Sequence, residues 1–197
     1  ENVIARINSF TLKSTQYRVG EIELHNGKVY YFFSMCGIGF DAHIVEKLHQ
    51  KRKKKLYLWS YLTATFEELL IRGYRPDKFR IFLDTKRLDN VFFAIIFNIN
   101  AYGGPFHFAH KKGSYRDDFL ELIKFENAGK GSIPYIYAKA LFNNFELAKD
   151  FPTVSFIEVF IEPEISTDKI PVHIDGDPLD YLPVAIRKSE KSIVIYS

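Results

Sequence analysis

The sequence predicts a mainly β, α+β domain: a β-sandwich with two helices packed at an end or edge. Three observations predict it. Aromatic residues make up 16% of the chain, with 19 Phe and 12 Tyr, and they gather with β-branched residues in short runs, as a pleated, half-buried surface prefers. Gly, Pro, Asn and Asp punctuate those runs. Only two longer stretches space their apolar residues at a helical period.

In chain order, strands are expected at residues 17–24 and 28–35, joined by His25-Asn26-Gly27 as a tight hairpin in which Asn and Gly supply positive φ. A helix is expected after Gly37-Ile38-Gly39-Phe40-Asp41-Ala42. Another begins at Trp59, where Leu62, Phe66, Leu69 and Leu70 continue one face until Gly73 and Pro76 close it. Strands follow at 78–83 and 90–98, connected across the polar stretch 84–89, and then at 119–125. Pro134 opens the second helix of helical period, with Tyr137, Leu141, Phe145 and Ala148 on one face up to Asp150 and Pro152. The last strands are expected at 154–161, 170–174, 182–187 and 192–196.

At 197 residues, with 47% hydrophobic and 26% charged, the chain matches ordinary globular usage. A single domain is expected, since roughly 70% of the unfolded surface can be buried at this length. Disorder, a collagen repeat and a disulfide scaffold are excluded on composition. The single cysteine, Cys36, cannot form an internal disulfide, and no signal peptide opens the chain, so a reducing, cytoplasmic location is expected. The longest apolar run, 91–97, has a strand's length, far from the roughly 18 to 20 residues of a membrane span. The chain starts at Glu1 without Met and with strand-like alternation, so it is expected to be a piece of a longer protein. The net charge of +3 does not point to nucleic acid, yet Lys51, Arg52, Lys53, Lys54 and Lys55 form one basic run.

Four constellations could carry chemistry. In Gly37-Ile38-Gly39-Phe40-Asp41-Ala42, two glycines between strand and helix allow a tight turn, and backbone N–H groups at a helix start can face an anion or hydroxyl. Taken alone, Asp41 is a helix cap. Neither a dinucleotide fingerprint nor a Walker loop is complete there. Asn98-Ile99-Asn100-Ala101-Tyr102-Gly103-Gly104-Pro105 ends the most apolar strand, and Asn98 can bond loop backbone or a ligand. Tyr115-Arg116-Asp117-Asp118 precedes a strand with two oxygen donors, an incomplete shell for a hard cation. Ile174-Asp175-Gly176-Asp177-Pro178 presents two carboxylates about a turn glycine, where one can accept a proton or organise Mg²⁺ while the other orients backbone. As a bare dipeptide, Asp-Gly is a hairpin turn. The histidines show no metal-ligand spacing, and Cys36 reads as a small core residue.

The succession of these four motifs resembles the C-terminal domain of the diacylglycerol kinase-like lipid kinases, the family of bacterial diacylglycerol kinases, sphingosine kinases and ceramide kinases. The resemblance covers nearly the whole chain. It implies an elongated β-sandwich, residues 1–197, supplying the lipid side of a cleft. The family's ATP-binding domain carries a Gly-Gly-Asp-Gly-Thr loop, and no such loop occurs here. ATP and Mg²⁺ are therefore expected to be held largely by a domain outside this chain, and the chain alone is expected to be inactive.

The resemblance also implies roles. Asp41, with Gly39, matches the lipid head-group site, and Asn98 and Asp175 fall in the accompanying substrate-binding motifs. Asp117 matches an acid associated with Mg²⁺ in an Asp-Gly-Leu-Leu-Asp stretch, here Asp117-Asp118-Phe119-Leu120-Glu121 without the Gly. Asp177 matches the final Glu of Asp-Gly-Glu, a general base for the attacking hydroxyl, and is about one C–C bond shorter. Ala109-His110 replaces the family's Ala-Pro. The basic run 51–55 would meet an anionic membrane, making the protein peripherally membrane-associated. Diacylglycerol, a sphingoid base or another lipid alcohol would be the substrate, and exposed sheet edges allow a homodimer. A non-catalytic lipid- or protein-binding sandwich is the alternative reading, and an NAD kinase-like protein fits the motifs less well.

Overall fold

A computed structural model describes residues 14–51, 63–65, 67–68, 77–83, 86–99, 118–126 and 153–196. The expectation of a mainly β chain holds. The strands are β1 (Ser14–Leu24), β2 (Val29–Phe32), β3 (Met35–Gly39), β4 (Phe79–Leu83), β5 (Lys86–Phe97), β6 (Leu120–Glu126), β7 (Val154–Phe156), β8 (Glu158–Pro163), β9 (Pro171–Ile174), β10 (Asp177–Tyr181) and β11 (Val184–Tyr196). A helix, α1 (Phe40–Lys51), follows β3. Residues 63–65, inside the helix expected from Trp59, are helical. Its apolar face, Trp59, Leu62, Phe66, Leu69 and Leu70, and the helix expected from Pro134 lie outside the described residues.

Among the described residues all strands belong to one 11-stranded antiparallel sheet, ordered β10-β9-β3-β5-β4-β8-β11-β1-β2, with β6 and β7 branching off β5. The layers of the expected sandwich therefore come from one hydrogen-bonded sheet that curls. Ile22, Phe32, Ile38, Phe79, Ile96 and Ile186 come from strands spread along this order, yet they meet in a single core cluster, each at most 1% exposed. The fork lies in β5. Its first half pairs with β4, and its second half is flanked by β3 and β6. At the changeover Phe79 faces Val91 but Ile81 faces Leu88, a bulge with Asn90 at φ 60. Such a bulge bends and twists a strand, which suits the point where its neighbours change. Residues 91–97 are buried without alternation, because both faces of this half are covered.

Several boundaries differ from expectation. The strand expected over 28–35 is two, because the chain leaves its pairing with β1 at Phe32 and joins β5 and β9 from Met35. The strands expected at 182–187 and 192–196 are one, β11, irregular opposite Arg18 and Gly20. The connection expected across 84–89 is shorter, since Lys86 already pairs with Leu83. In the β1–β2 hairpin, Gly27 alone of the turn residues has positive φ, at 77°, and the Gly27 N–H donates to the Leu24 carbonyl at 2.9 Å. This is a three-residue loop closed by a left-handed glycine.

Helix α1 buries Phe40, Ile44, Val45 and Leu48 against β3, β5, β9 and β10, the stripe of an amphipathic helix. It does not begin after a capping Asp41. Gly39, with φ 79, takes the position ahead of the helix, and Asp41 lies inside the first turn.

Candidate functional site

The site is built where the sheet's β9–β10 end meets the start of α1. Ile174 pairs with Asp177, so Asp175 and Gly176 form a two-residue hairpin loop with φ of 49° and 87°. Positive φ at both positions is what a type I′ turn requires, and Asp-Gly is among its favoured dipeptides. The strand after the turn, β10, was not expected, because Pro178 and two acids mask its alternation. The Asp175 carboxylate accepts the backbone N–H groups of Phe33, Ser34 and Met35 at 2.7, 2.8 and 2.9 Å. Its own N–H donates to the Met35 carbonyl at 2.9 Å. Charge-assisted bonds of this kind are the strong ones. They fix the crossing from β2 to β3, so Asp175, expected against the substrate, spends its carboxylate on backbone.

Two residues before Asp175, in β9, His173 stands directly opposite Gly37 of β3. Its Nε2 lies 2.7 Å from Asp41 Oδ2, and the two side chains are 2% and 0% exposed. On the other side of the ring, the Gly176 N–H donates to Nδ1 at 3.3 Å. Since Nδ1 accepts, the ring proton is on Nε2 and is donated to Asp41. Gly37 makes the room: a Cβ there would stand 2.2 Å from His173 Nε2 and 2.5 Å from Asp41 Oδ2. The two motifs, 132 residues apart at Asp41 and His173, are thus joined by one imidazole. Asp177, next after Gly176, is exposed at the start of β10.

No family model and no curated protein matches the sequence. Solved structures do. A structure from Bacillus anthracis described as "a putative diacylglycerol kinase" superposes with a TM-score of 0.57 at 18% identity, over 92% of this chain and 54% of its own. A diacylglycerol kinase structure from the same organism gives 0.55 at 20% identity, over 89% and 53%. A third, described like the first, gives 0.56 at 16%, over 92% and 55%. The chain shares its fold with diacylglycerol kinases. It spans about half the length of the solved chains it matches.

Within this diacylglycerol kinase-like fold the remaining expected residues are distributed unevenly. Gly39 is buried in β3, where a Cβ would stand 2.4 Å from the Phe92 carbonyl oxygen, so the glycine serves strand packing and the strand-to-helix corner. Asn98 is fully buried. Its Nδ2 donates to the carbonyls of Arg18 and Phe33 at 2.9 and 2.8 Å, and its Oδ1 accepts from Lys188 Nζ at 2.6 Å. The side chain knits β1, the β2–β3 crossing and β11 together. Asp118 is engaged by Arg18, whose Nη2 also reaches Glu190 at 2.8 Å. Asp117 and the basic residues Arg52 to Lys55 lie outside the described residues, while Lys51 ends α1.

Cys36 is wholly buried beside this centre, and burial first, then the nearby charges of Asp175 and Asp41, push its thiol far up from the ordinary range. It is a packing residue and not a nucleophile. Tyr181 Oη donates to Glu46 Oε1 at 3.1 Å, tying β10 to α1. Among the described residues, no cluster of three or more His, Cys, Asp and Glu side chains forms a metal site. With Asp41 on His173, Asp175 on three amides and Asp118 on Arg18, the described acids do not make an oxygen set for Mg²⁺. The residue that sequence reasoning passed over is His173. Its signal was a polar side chain in the apolar run Pro171–Ile174.

Proposed function

We propose that residues 1–197 form the lipid-side, C-terminal domain of an ATP-dependent lipid kinase, with Asp177 as the base that activates the acceptor. One observation carries this reading: the fold matches diacylglycerol kinase structures across nearly all of this chain but across only half of theirs. Two motifs that the family resemblance assigns to the acceptor side, at Asp41 and at Asp175 to Asp177, also converge on His173.

In this reading the hydroxyl of diacylglycerol or a related lipid attacks the γ-phosphorus of ATP. Its proton passes to the Asp177 carboxylate, a P–O bond forms to the lipid oxygen, and the bond to the β-phosphate oxygen breaks to release ADP. ATP and Mg²⁺ belong to the other half of such a kinase. Asp177 suits the part because it is exposed on a rigid hairpin, whereas Asp41 and Asp175 are held by internal hydrogen bonds. The basic run 51–55 would bring the domain to an anionic, cytoplasm-facing bilayer as a peripheral protein. No helix among the described residues is long and apolar enough to cross a membrane.

The test is label transfer from γ-labelled ATP, with Mg²⁺, to diacylglycerol in mixed vesicles, using the longest product of the gene and its Asp177→Ala variant. General-base catalysis contributes typically 10²- to 10⁴-fold, so roughly that loss is expected in the variant. No transfer to any lipid alcohol, or full transfer by the variant, would overturn the reading. A non-catalytic lipid-binding module is the second reading. It is favoured by Asp118, in the stretch associated with Mg²⁺, being taken up by Arg18, and it predicts lipid binding without turnover.

A further inference from the structure

The proposed chemistry uses Asp177 and places Asp41 toward the lipid head group, but it assigns nothing to the imidazole between them. That imidazole has little freedom. It is 2% exposed, it faces Gly37 with no Cβ in the way, and each ring nitrogen has a defined partner. One partner is a carboxylate in the first turn of α1. The other is the peptide N–H of Gly176, in the tight turn whose next residue is Asp177.

Resting on the lipid-kinase reading, we infer that His173 is the positioning residue of the site: a neutral imidazole strut that holds Asp41 with one nitrogen and sets the Asp177 hairpin with the other. The turn is already braced from one side by Asp175, which fastens it to residues 33–35. His173 also holds it through the Gly176 N–H, so the turn that precedes Asp177 is held at both of its residues. A two-residue loop with both φ values positive has few alternative conformers. Fixing its N–H therefore fixes the direction in which Asp177 leaves the turn. Reacting groups must be held to a fraction of an ångström, and supporting residues that never touch the substrate carry that requirement.

The two nitrogens have separable mimics. The side-chain amide of Asn reaches about as far as Nδ1, and that of Gln about as far as Nε2. His173→Asn should keep an acceptor for the Gly176 N–H and lose the donor to Asp41. His173→Gln should keep the donor to Asp41 and lose the acceptor. In the longest gene product, His173→Asn is expected to raise the KM for lipid roughly tenfold or more, the weight of a hydrogen bond to a charged group, with kcat near wild type. His173→Gln is expected to lower kcat about ten- to a hundredfold with KM near wild type. Thermal melts of both variants accompany the kinetics. Equal losses of kcat and KM in both variants that follow the melts would overturn the inference, since a merely structural histidine behaves that way, and so would no change in either.

A second measurement on the 197-residue chain separates this inference from the kinase reading. Imidazole ¹⁵N spectra should report a proton on His173 Nε2 and none on Nδ1. The Gly176 amide should exchange slowly in wild type and His173→Asn and rapidly in His173→Gln. If the gene product phosphorylates no lipid, the kinase reading falls and these spectra alone decide the strut. The Nε2–H ring with that exchange pattern upholds it, while a proton on Nδ1, or equal Gly176 exchange in the two variants, overturns it.

Discussion

Replacing Gly37 by Ala tests the packing at the centre of the site. Gly37 is not among the residues with positive φ, so an alanine meets no backbone strain and the whole effect is steric. The added Cβ would lie 2.2 Å from His173 Nε2 and 2.5 Å from Asp41 Oδ2. Ordinary contact needs about 3.5 Å, so the imidazole must retreat by roughly 1.3 Å. A shift of that size breaks the 2.7 Å bond to Asp41. Overpacking costs about 1 to 3 kcal/mol, and losing a hydrogen bond to a charged group about 1.5 to 3 kcal/mol; because the two overlap, a loss of about 3 kcal/mol is expected. Urea unfolding followed by fluorescence reads it. With a slope of about 2 kcal/mol per molar, the midpoint should fall by about 1.5 M with the slope unchanged. Gly176→Ala is the control: no atom lies within 4 Å of its added Cβ, and its φ of 87° makes the cost conformational, about 1 to 2 kcal/mol. In the double variant Gly37→Ala/His173→Ala the clash with the imidazole is gone and the Asp41 carboxylate has room to shift, so the two losses should fall well short of additive. A wild-type midpoint for Gly37→Ala, or strict additivity in the double variant, would refute the reasoning.

Three further outcomes are expected. Asp175→Ala removes the acceptor of three backbone N–H groups; it should cost about 2 to 3 kcal/mol and speed amide exchange at Phe33, Ser34 and Met35, and an exchange pattern like wild type would count against the clamp. Cys36 should resist thiol reagents until the protein unfolds. Because folding raises its pKa, the native state holds the thiol proton where the unfolded chain releases it. Stability should therefore decline as pH rises above about 8.5, and Cys36→Ala should lack that part of the decline in pH-dependent urea titrations. Neutralising Lys53, Lys54 and Lys55 together should weaken binding to anionic vesicles by about 3 kcal/mol at moderate salt, and unchanged sedimentation with such vesicles would reject the membrane role.

The parts of the fold legible in the sequence are those whose cause is local. The Asp175-Gly176 turn could be read because a two-residue hairpin loop demands a dipeptide of that kind, and the runs around Ile22, Ile81 and Ile95 because β-branched and aromatic residues suit a covered sheet. The glycines of the first motif were less legible. They read as a turn, but Gly37 and Gly39 lie in β3, where the imidazole of His173 and the carbonyl of Phe92 come too close for any side chain. The role of Asn98 was illegible for a related reason: its partners Arg18, Phe33 and Lys188 are 80, 65 and 90 residues away. His173 has one partner three residues along the chain, Gly176, but the other, Asp41, is 132 residues away. Its meaning depends on a register between β3 and β9 that no local pattern specifies.

The pairing of β1 with β11 sets the order of assembly. Val184 to Tyr196 lies between β1 and β8, hydrogen-bonded to both. Until this segment has been synthesised, β1 has only its hairpin partner β2, and β8 has only β4. The nascent chain then presents two raw strand edges, the form of surface that invites intermolecular pairing. Closure of the sheet therefore waits for β11, and a chain interrupted before it would be a substrate for chaperones and proteases and not a smaller domain.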